Sequence, residues 1–205
     1  MTTITVSLTS GKTRKKERRM KVFINPGHDT KYDSGAVNPE TGLRECDVAA
    51  AVGELVRGYL EKAGCEVMLR QSDNLFYDSD YADRSEPVVV EANNWGADVF
   101  VSLHCNACNG DARGTEEEIY NASCSKDALA LARCIQAQIV NSLGTVDRGV
   151  KDRPNLIVLK RTDMPAVLCE MAFIDNYYDE QILASKQDEL ARAIARGVTD
   201  YEQTL

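Results

Sequence analysis

Apolar residues recur along this chain in two rhythms. Val48, Val52, Leu55, Val56, Tyr59 and Leu60 repeat at the three- and four-residue spacing of one helical face, and Gly64 follows as a stop signal. Ala128, Leu131, Ala132, Ile135, Ile139 and Leu143 form a second stripe of this kind; Leu190, Ile194, Gly197, Val198 and Tyr201 form a third. Val88, Ala92 and Trp95 mark a shorter helix with Pro87 in its first turn, where a missing N–H is tolerated. Between these stripes lie stretches of strand length and apolar character at residues 22–24, 65–69, 98–103, 156–159 and 166–169. Strands alternating with helices of this length predict an α/β fold around a mainly parallel sheet.

No repeat, linker or low-complexity tract divides residues 20–205, so the pattern predicts a single domain. Residues 1–19 read as a basic N-terminal tail. Residues 1–21 hold seven of the 24 basic residues, against Glu17 alone on the acidic side. The rest of the chain carries 17 basic and 31 acidic residues, a balance that argues against nucleic acid as a partner because phosphate binding needs a basic surface. No run approaches the length of a membrane span. The short apolar stretch at residues 4–8 precedes the basic run instead of following it, which is not the order of an export signal. The expectation is synthesis in the cytoplasm without a recognisable signal peptide.

Candidate chemistry gathers at the ends of the apolar runs. His28 and His104 are the only two histidines, and each follows such a run. Neutral imidazole is the commonest protein metal ligand. Glu170 follows the run at 166–169, and Glu45 opens the helix after the Gly42-Leu43-Arg44 turn, where the helix dipole favours a carboxylate. Each has an ordinary structural reading when taken singly: a half-buried histidine, a first-turn glutamate, a salt-bridged strand end. Together, two imidazoles and a carboxylate with an open fourth position make a recurrent catalytic zinc arrangement. The contiguous His-Glu-x-x-His motif is absent, so such a site would assemble from distant segments. The seven cysteines form an odd set with no second pair to match Cys105 and Cys108, which predicts free thiols and no metal at that pair.

Seven blocks, in order, resemble one family. They are Asn25-Pro26-Gly27-His28, Asp33-Ser34-Gly35-Ala36, Gly42-Leu43-Arg44-Glu45, Ala92-Asn93, the stretch at 97–106 ending in Leu103-His104-Cys105-Asn106, Arg148-Gly149-Val150-Lys151, and the stretch at 165–176 containing Cys169-Glu170-Met171. Over residues 20–202 the chain resembles the zinc-dependent N-acetylmuramoyl-L-alanine amidases, the catalytic domain shared by bacterial autolysins and phage endolysins. The resemblance implies a three-layer α/β/α fold with a central mixed sheet. It also implies one Zn²⁺ per chain bound by His28, Glu45 and His104, and Glu170 as the catalytic carboxylate. Asn106 becomes a candidate contact to substrate or to a metal ligand. The implied substrate is peptidoglycan, cut between N-acetylmuramic acid and L-alanine of the stem peptide, with action on the cell wall by phage or prophage release or by alternative export.

The chain departs from the family's pattern at Asp29 and Ala172, where glycine is usual, and at Val88, where an arginine is common and Arg84 lies one turn earlier. Asn25 stands in for a common aspartate, which leaves the partner orienting His28 open. Two other readings share these residues: a zinc peptidase acting on stem-peptide bonds, and a non-catalytic wall-binding module. Product analysis separates the first, and the intact Glu170 speaks against the second.

Overall fold

The computed structural model describes residues 18–77 and 86–205; Arg84 and residues 1–17 of the basic segment lie outside the described residues. Twelve elements follow in chain order: β1 (Lys21–Pro26), α1 (Glu45–Ala63), β2 (Glu66–Leu69), α2 (Val88–Trp95), β3 (Val99–Asn106), β4 (Thr115–Ile119), α3 (Lys126–Leu143), β5 (Asp147–Asp152), α4 (Ile157–Lys160), β6 (Ala166–Phe173), α5 (Tyr177–Ser185) and α6 (Gln187–Glu202). The strands form one six-stranded sheet in the order β2-β1-β3-β6-β4-β5. Every neighbouring pair is parallel except β4 against β6. The fold is therefore α/β with a mostly parallel mixed sheet, as expected.

Strand alternation sorts the core into two layers. Val22, Ile24, Val99, Val101, Leu103, Val167 and Cys169 point to one face, where they pack with the apolar stripes of α1, α3 and α6. Phe23, Phe100, Ala166 and Leu168 point to the other, against Val88, Val89 and Ala92 of α2 and Val158 and Leu159 at α4. Phe23 and Phe100 stack at 5.4 Å between ring centroids, tying β1 to β3 on that second face. His104 and Glu170 have the parity of Phe100 and Leu168, so the second face also carries the candidate chemistry.

Four elements differ from the pattern reading. Residues 156–159 contribute to the single helical turn α4 instead of a strand; a four-residue apolar run does not distinguish a buried turn of helix from a strand. β4, Thr115-Glu116-Glu117-Glu118-Ile119, has no strand-like composition, yet all five residues are buried. Its glutamates are accommodated separately. Glu116 accepts from Arg148 Nε at 2.7 Å, and Glu118 pairs with Arg153 Nε at 2.8 Å. Glu117, on the opposite face, is pushed well above the ordinary carboxylate range by burial. The charged edge strand β5 and the helix α5 likewise lack the periodic apolar residues that announce the other elements.

Candidate metal centre

The candidate residues converge at the carboxyl end of the central strands, where open α/β sheets place their sites. His28 lies two residues past β1, and it is the only non-glycine among the described residues with a left-handed backbone, at φ 60°. That conformation turns the chain back over the sheet end instead of continuing the strand. A tight turn then returns through Asp33, whose backbone carbonyl accepts from Asp29 N at 2.8 Å. Asp29 caps the turn itself, its Oδ1 accepting from the backbone N–H of Lys31 and Tyr32 at 2.7 and 3.0 Å.

Glu45 enters from the first residue of α1 and is 4 % exposed. Its Oε1 lies 3.2 Å from His28 Nε2 and 2.9 Å from His104 Nδ1, and it accepts from Cys105 N at 2.9 Å. Its Oε2 accepts from Ala36 N at 2.8 Å. One ligand atom from each of His28, Glu45 and His104 lies within 4.8 Å of the others. The sequence-predicted triad is therefore assembled, although Glu45 and His104 stand 59 residues apart in the chain.

Close approach of backbone makes room for this cluster. A Cβ on Gly27 would overlap the His104 ring. One on Gly35, at φ +65°, would lie 2.5 Å from both Glu45 Oε2 and His28 Cδ2. Glycine at these two positions lets two turns close on the side chains of His28, Glu45 and His104.

Electrostatics follow from the packing. Burial acts on the His28 imidazole to lower its pKa, but Glu45 and Asp33 together outweigh it and push it up to about 9. Glu45 is pulled the other way: burial raises it, while bonds to His104, His28 and Cys105 N hold it well below the ordinary carboxylate range. His28 Nδ1 sits 2.8 Å from Asp33 Oδ2. Asp33 thus supplies the orienting partner that the sequence left open, and it fixes Nδ1 as the donor so that Nε2 faces the cluster. Asn25 serves a different purpose: it donates to Arg70 O at 2.9 Å and accepts from Ser102 Oγ at 3.0 Å.

Glu170 lies inside β6 instead of beyond its end, directly in register with His104 on β3 and with Glu116 on β4. Its Oε2 is buried without a hydrogen-bond partner among the described residues. Burial, with the charges of Glu45, Glu118 and Glu116, pushes its pKa well above the ordinary range. Asn106 donates from Nδ2 to Glu116 Oε1 at 3.2 Å, so it contacts the wall beside Glu170 and not the imidazoles. A cavity of about 170 Å³ opens beside His28 and His104, walled by Leu75, Leu156, Ile157, Val158 and Leu168.

The donor set suits a metal ion. Around an ion bound at about 2.0–2.2 Å, tetrahedral ligand atoms stand about 3.3–3.6 Å apart. The two separations that involve Glu45, 2.9 and 3.2 Å, are those of hydrogen-bonded groups that would part slightly around an ion, and all three ligand atoms already lie within 4.8 Å of one another. Two imidazole nitrogens and a carboxylate oxygen also match zinc's preferences.

The family described as N-acetylmuramoyl-L-alanine amidase matches residues 22–200. The chain belongs to that amidase family. The uncharacterised protein YqiI of Bacillus subtilis is 37 % identical over 182 residues, covering 88 % of this chain and 84 % of YqiI. The amidase LytC of the same organism is 34 % identical over 183 residues, covering 88 % of this chain; the match spans 35 % of LytC's length. Among solved structures, the amidase AmiC2 of Nostoc punctiforme superposes with a TM-score of 0.76 at 32 % identity, covering 90 % of this chain and 97 % of that one. The amidase described here thus shares its fold with hydrolases of the same family. Among its described residues, no helix is long and apolar enough to cross a membrane.

Proposed function

We propose that this chain hydrolyses the amide bond joining the lactyl group of N-acetylmuramic acid to L-alanine in peptidoglycan, with one Zn²⁺ held by His28, Glu45 and His104. The observation that carries this reading is the convergence of those three side chains beside the unpartnered carboxyl oxygen of Glu170. An amide carbon is a poor electrophile, so hydrolysis needs an activated water and a stabilised oxyanion. Zinc supplies both when bound, by lowering the pKa of water and polarising the carbonyl.

The chain's own residues do the rest. Glu170 accepts a proton from the attacking water as the C–O bond forms. It then delivers that proton to the departing alanine nitrogen as the C–N bond breaks. A carboxyl with its pKa raised by burial is suited to both halves of that exchange. Asp33 holds the His28 ring in place. The apolar wall of Leu75, Leu156 and Ile157 takes the methyl groups that flank the scissile amide and keeps bulk water from the reacting atoms.

Mass spectrometry of purified sacculi treated with the enzyme tests this. The expected products are peptides with a new amino-terminal L-alanine and glycan strands with a free lactyl carboxylate. New termini inside the stem peptide would make it a peptidase, and binding without any new terminus would make it a wall-binding module. The site of action follows from the substrate: the cell wall.

The catalytic domain is proposed to begin at Met20, the first buried residue among the described ones, which precedes β1. Arg18 pairs with Asp98 at 2.8 Å, but its side chain is 72 % exposed, and such surface pairs contribute about 0–1 kcal/mol. A chain starting at Met20 is therefore expected to melt within about 4 °C of the full chain and to hydrolyse soluble muropeptides at an unchanged rate. Unfolding or loss of metal on truncation would move the boundary upstream.

A further inference from the structure

The site face of the sheet carries an arginine held unusually firmly. Arg148, on the edge strand β5, reaches across β4 and donates from Nε to Glu116 Oε2 at 2.7 Å. Glu116 is 3 % exposed and is fixed in turn by Asn106. The Arg148 guanidinium also stacks over Phe173, 4.8 Å from the ring centroid. Its hydrogen bond to the described residues runs through Nε, which leaves the terminal nitrogens unengaged, and 35 % of the side chain is exposed. A guanidinium anchored by a buried carboxylate and a ring, with its outer N–H groups open, is a preorganised receptor for another carboxylate.

Its position relative to the reacting atoms narrows the ligand. Glu116 is the register partner of Glu170, and antiparallel partners stand about 4.5–5.5 Å apart at Cα. The guanidinium lies one hydrogen bond beyond Glu116. An extended residue spans about 3.3–3.6 Å, so a group one residue past the alanine lies about 7 Å from the scissile nitrogen, within that reach. Around Glu170 the neighbouring side chains are acidic: Glu116 is its register partner on β4, Glu45 and Glu118 lie close enough to act on its charge, and Arg153 pairs with Glu118. Beside this acidic cluster, Arg148 offers an incoming carboxylate open N–H groups.

We propose that Arg148 binds a free carboxylate on the residue that follows alanine in the leaving peptide, and so selects acidic over amidated stem peptides. This rests on the amidase reading above. The test uses the metal-loaded full chain and two soluble muropeptides that differ only in a carboxylate or a carboxamide at the second residue. The wild type is expected to favour the acid by about tenfold or more in kcat/KM, the scale of one hydrogen bond to a charged group, with the difference carried by KM. In Arg148→Gln that ratio collapses towards one. Because Arg148→Gln strands the buried Glu116, the paired variant Glu116→Gln/Arg148→Gln removes both groups and is expected to give the same collapse. Equal rates on the two substrates in the wild type, or an undiminished ratio in both variants, would overturn the proposal while leaving the amidase reading intact. Hydrolysis of neither muropeptide would overturn both.

Discussion

Glu170→Ala is expected to bind metal as tightly as the wild type and to turn over about 10²–10⁴-fold more slowly, the usual contribution of a general acid–base group. The substitution removes the carboxyl proposed to accept and return the proton, but no atom of the converging triad, which is formed by His28, Glu45 and His104. Glu170 Oε2 has no hydrogen-bond partner among the described residues to strand, and its removal relieves the repulsion it feels from Glu45, Glu116 and Glu118. The variant should therefore melt no lower than the wild type. Elemental analysis, thermal melting and single-turnover rates on a soluble muropeptide check the three parts separately. Near wild-type turnover would place the acid–base role elsewhere, with the exposed Glu40 the next carboxylate to test.

Glu45→Ala should lose both metal and activity, and some stability as well. Disturbing only the outer partner of a ligand costs about 10–100-fold in affinity, so removing a ligand is expected to exceed that. Glu45 also accepts from Ala36 N and Cys105 N. Alanine would leave both donors without an acceptor, and an unsatisfied buried group costs about 1–3 kcal/mol. Glu45→Gln separates the two effects. Its amide oxygen still accepts from one of the two backbone donors but carries no charge for the metal, so the melting temperature should recover in part while the affinity does not. Stoichiometric metal at wild-type affinity in Glu45→Gln would remove Glu45 from the ligand set.

The long helices were legible because α1, α3 and α6 each bury one stripe in the same core, which forces a 3.6-residue rhythm on the sequence. The triad was legible for a different reason: the chain holds just two histidines, each following a strand-like run. β4 stayed hidden because the alternation that marks a strand assumes one apolar face, and here both faces carry glutamate. Its burial depends on Arg148 and Arg153, which come from β5 and the segment after it, so no local window contains the explanation. Asp33 as the partner of His28 was hidden by the left-handed backbone at His28, which folds the chain back so that a residue five positions later meets the ring. α4 was misread because four apolar residues satisfy either rhythm.

The order of strands in the sheet has a consequence for how the protein comes into being. The groups at the site arrive from β1, α1, β3 and β6, and β1 and β3 become neighbours only across the intervening α1–β2–α2 stretch. Parallel pairings of this kind close large loops before any contact compensates, so they form late. An unfolded or half-folded chain has the ligands but not the site, and an ion that binds only the finished fold also holds it closed. On the proposed reading, the site and the finished fold are completed together, and an incompletely folded copy is expected to lack the cutting activity.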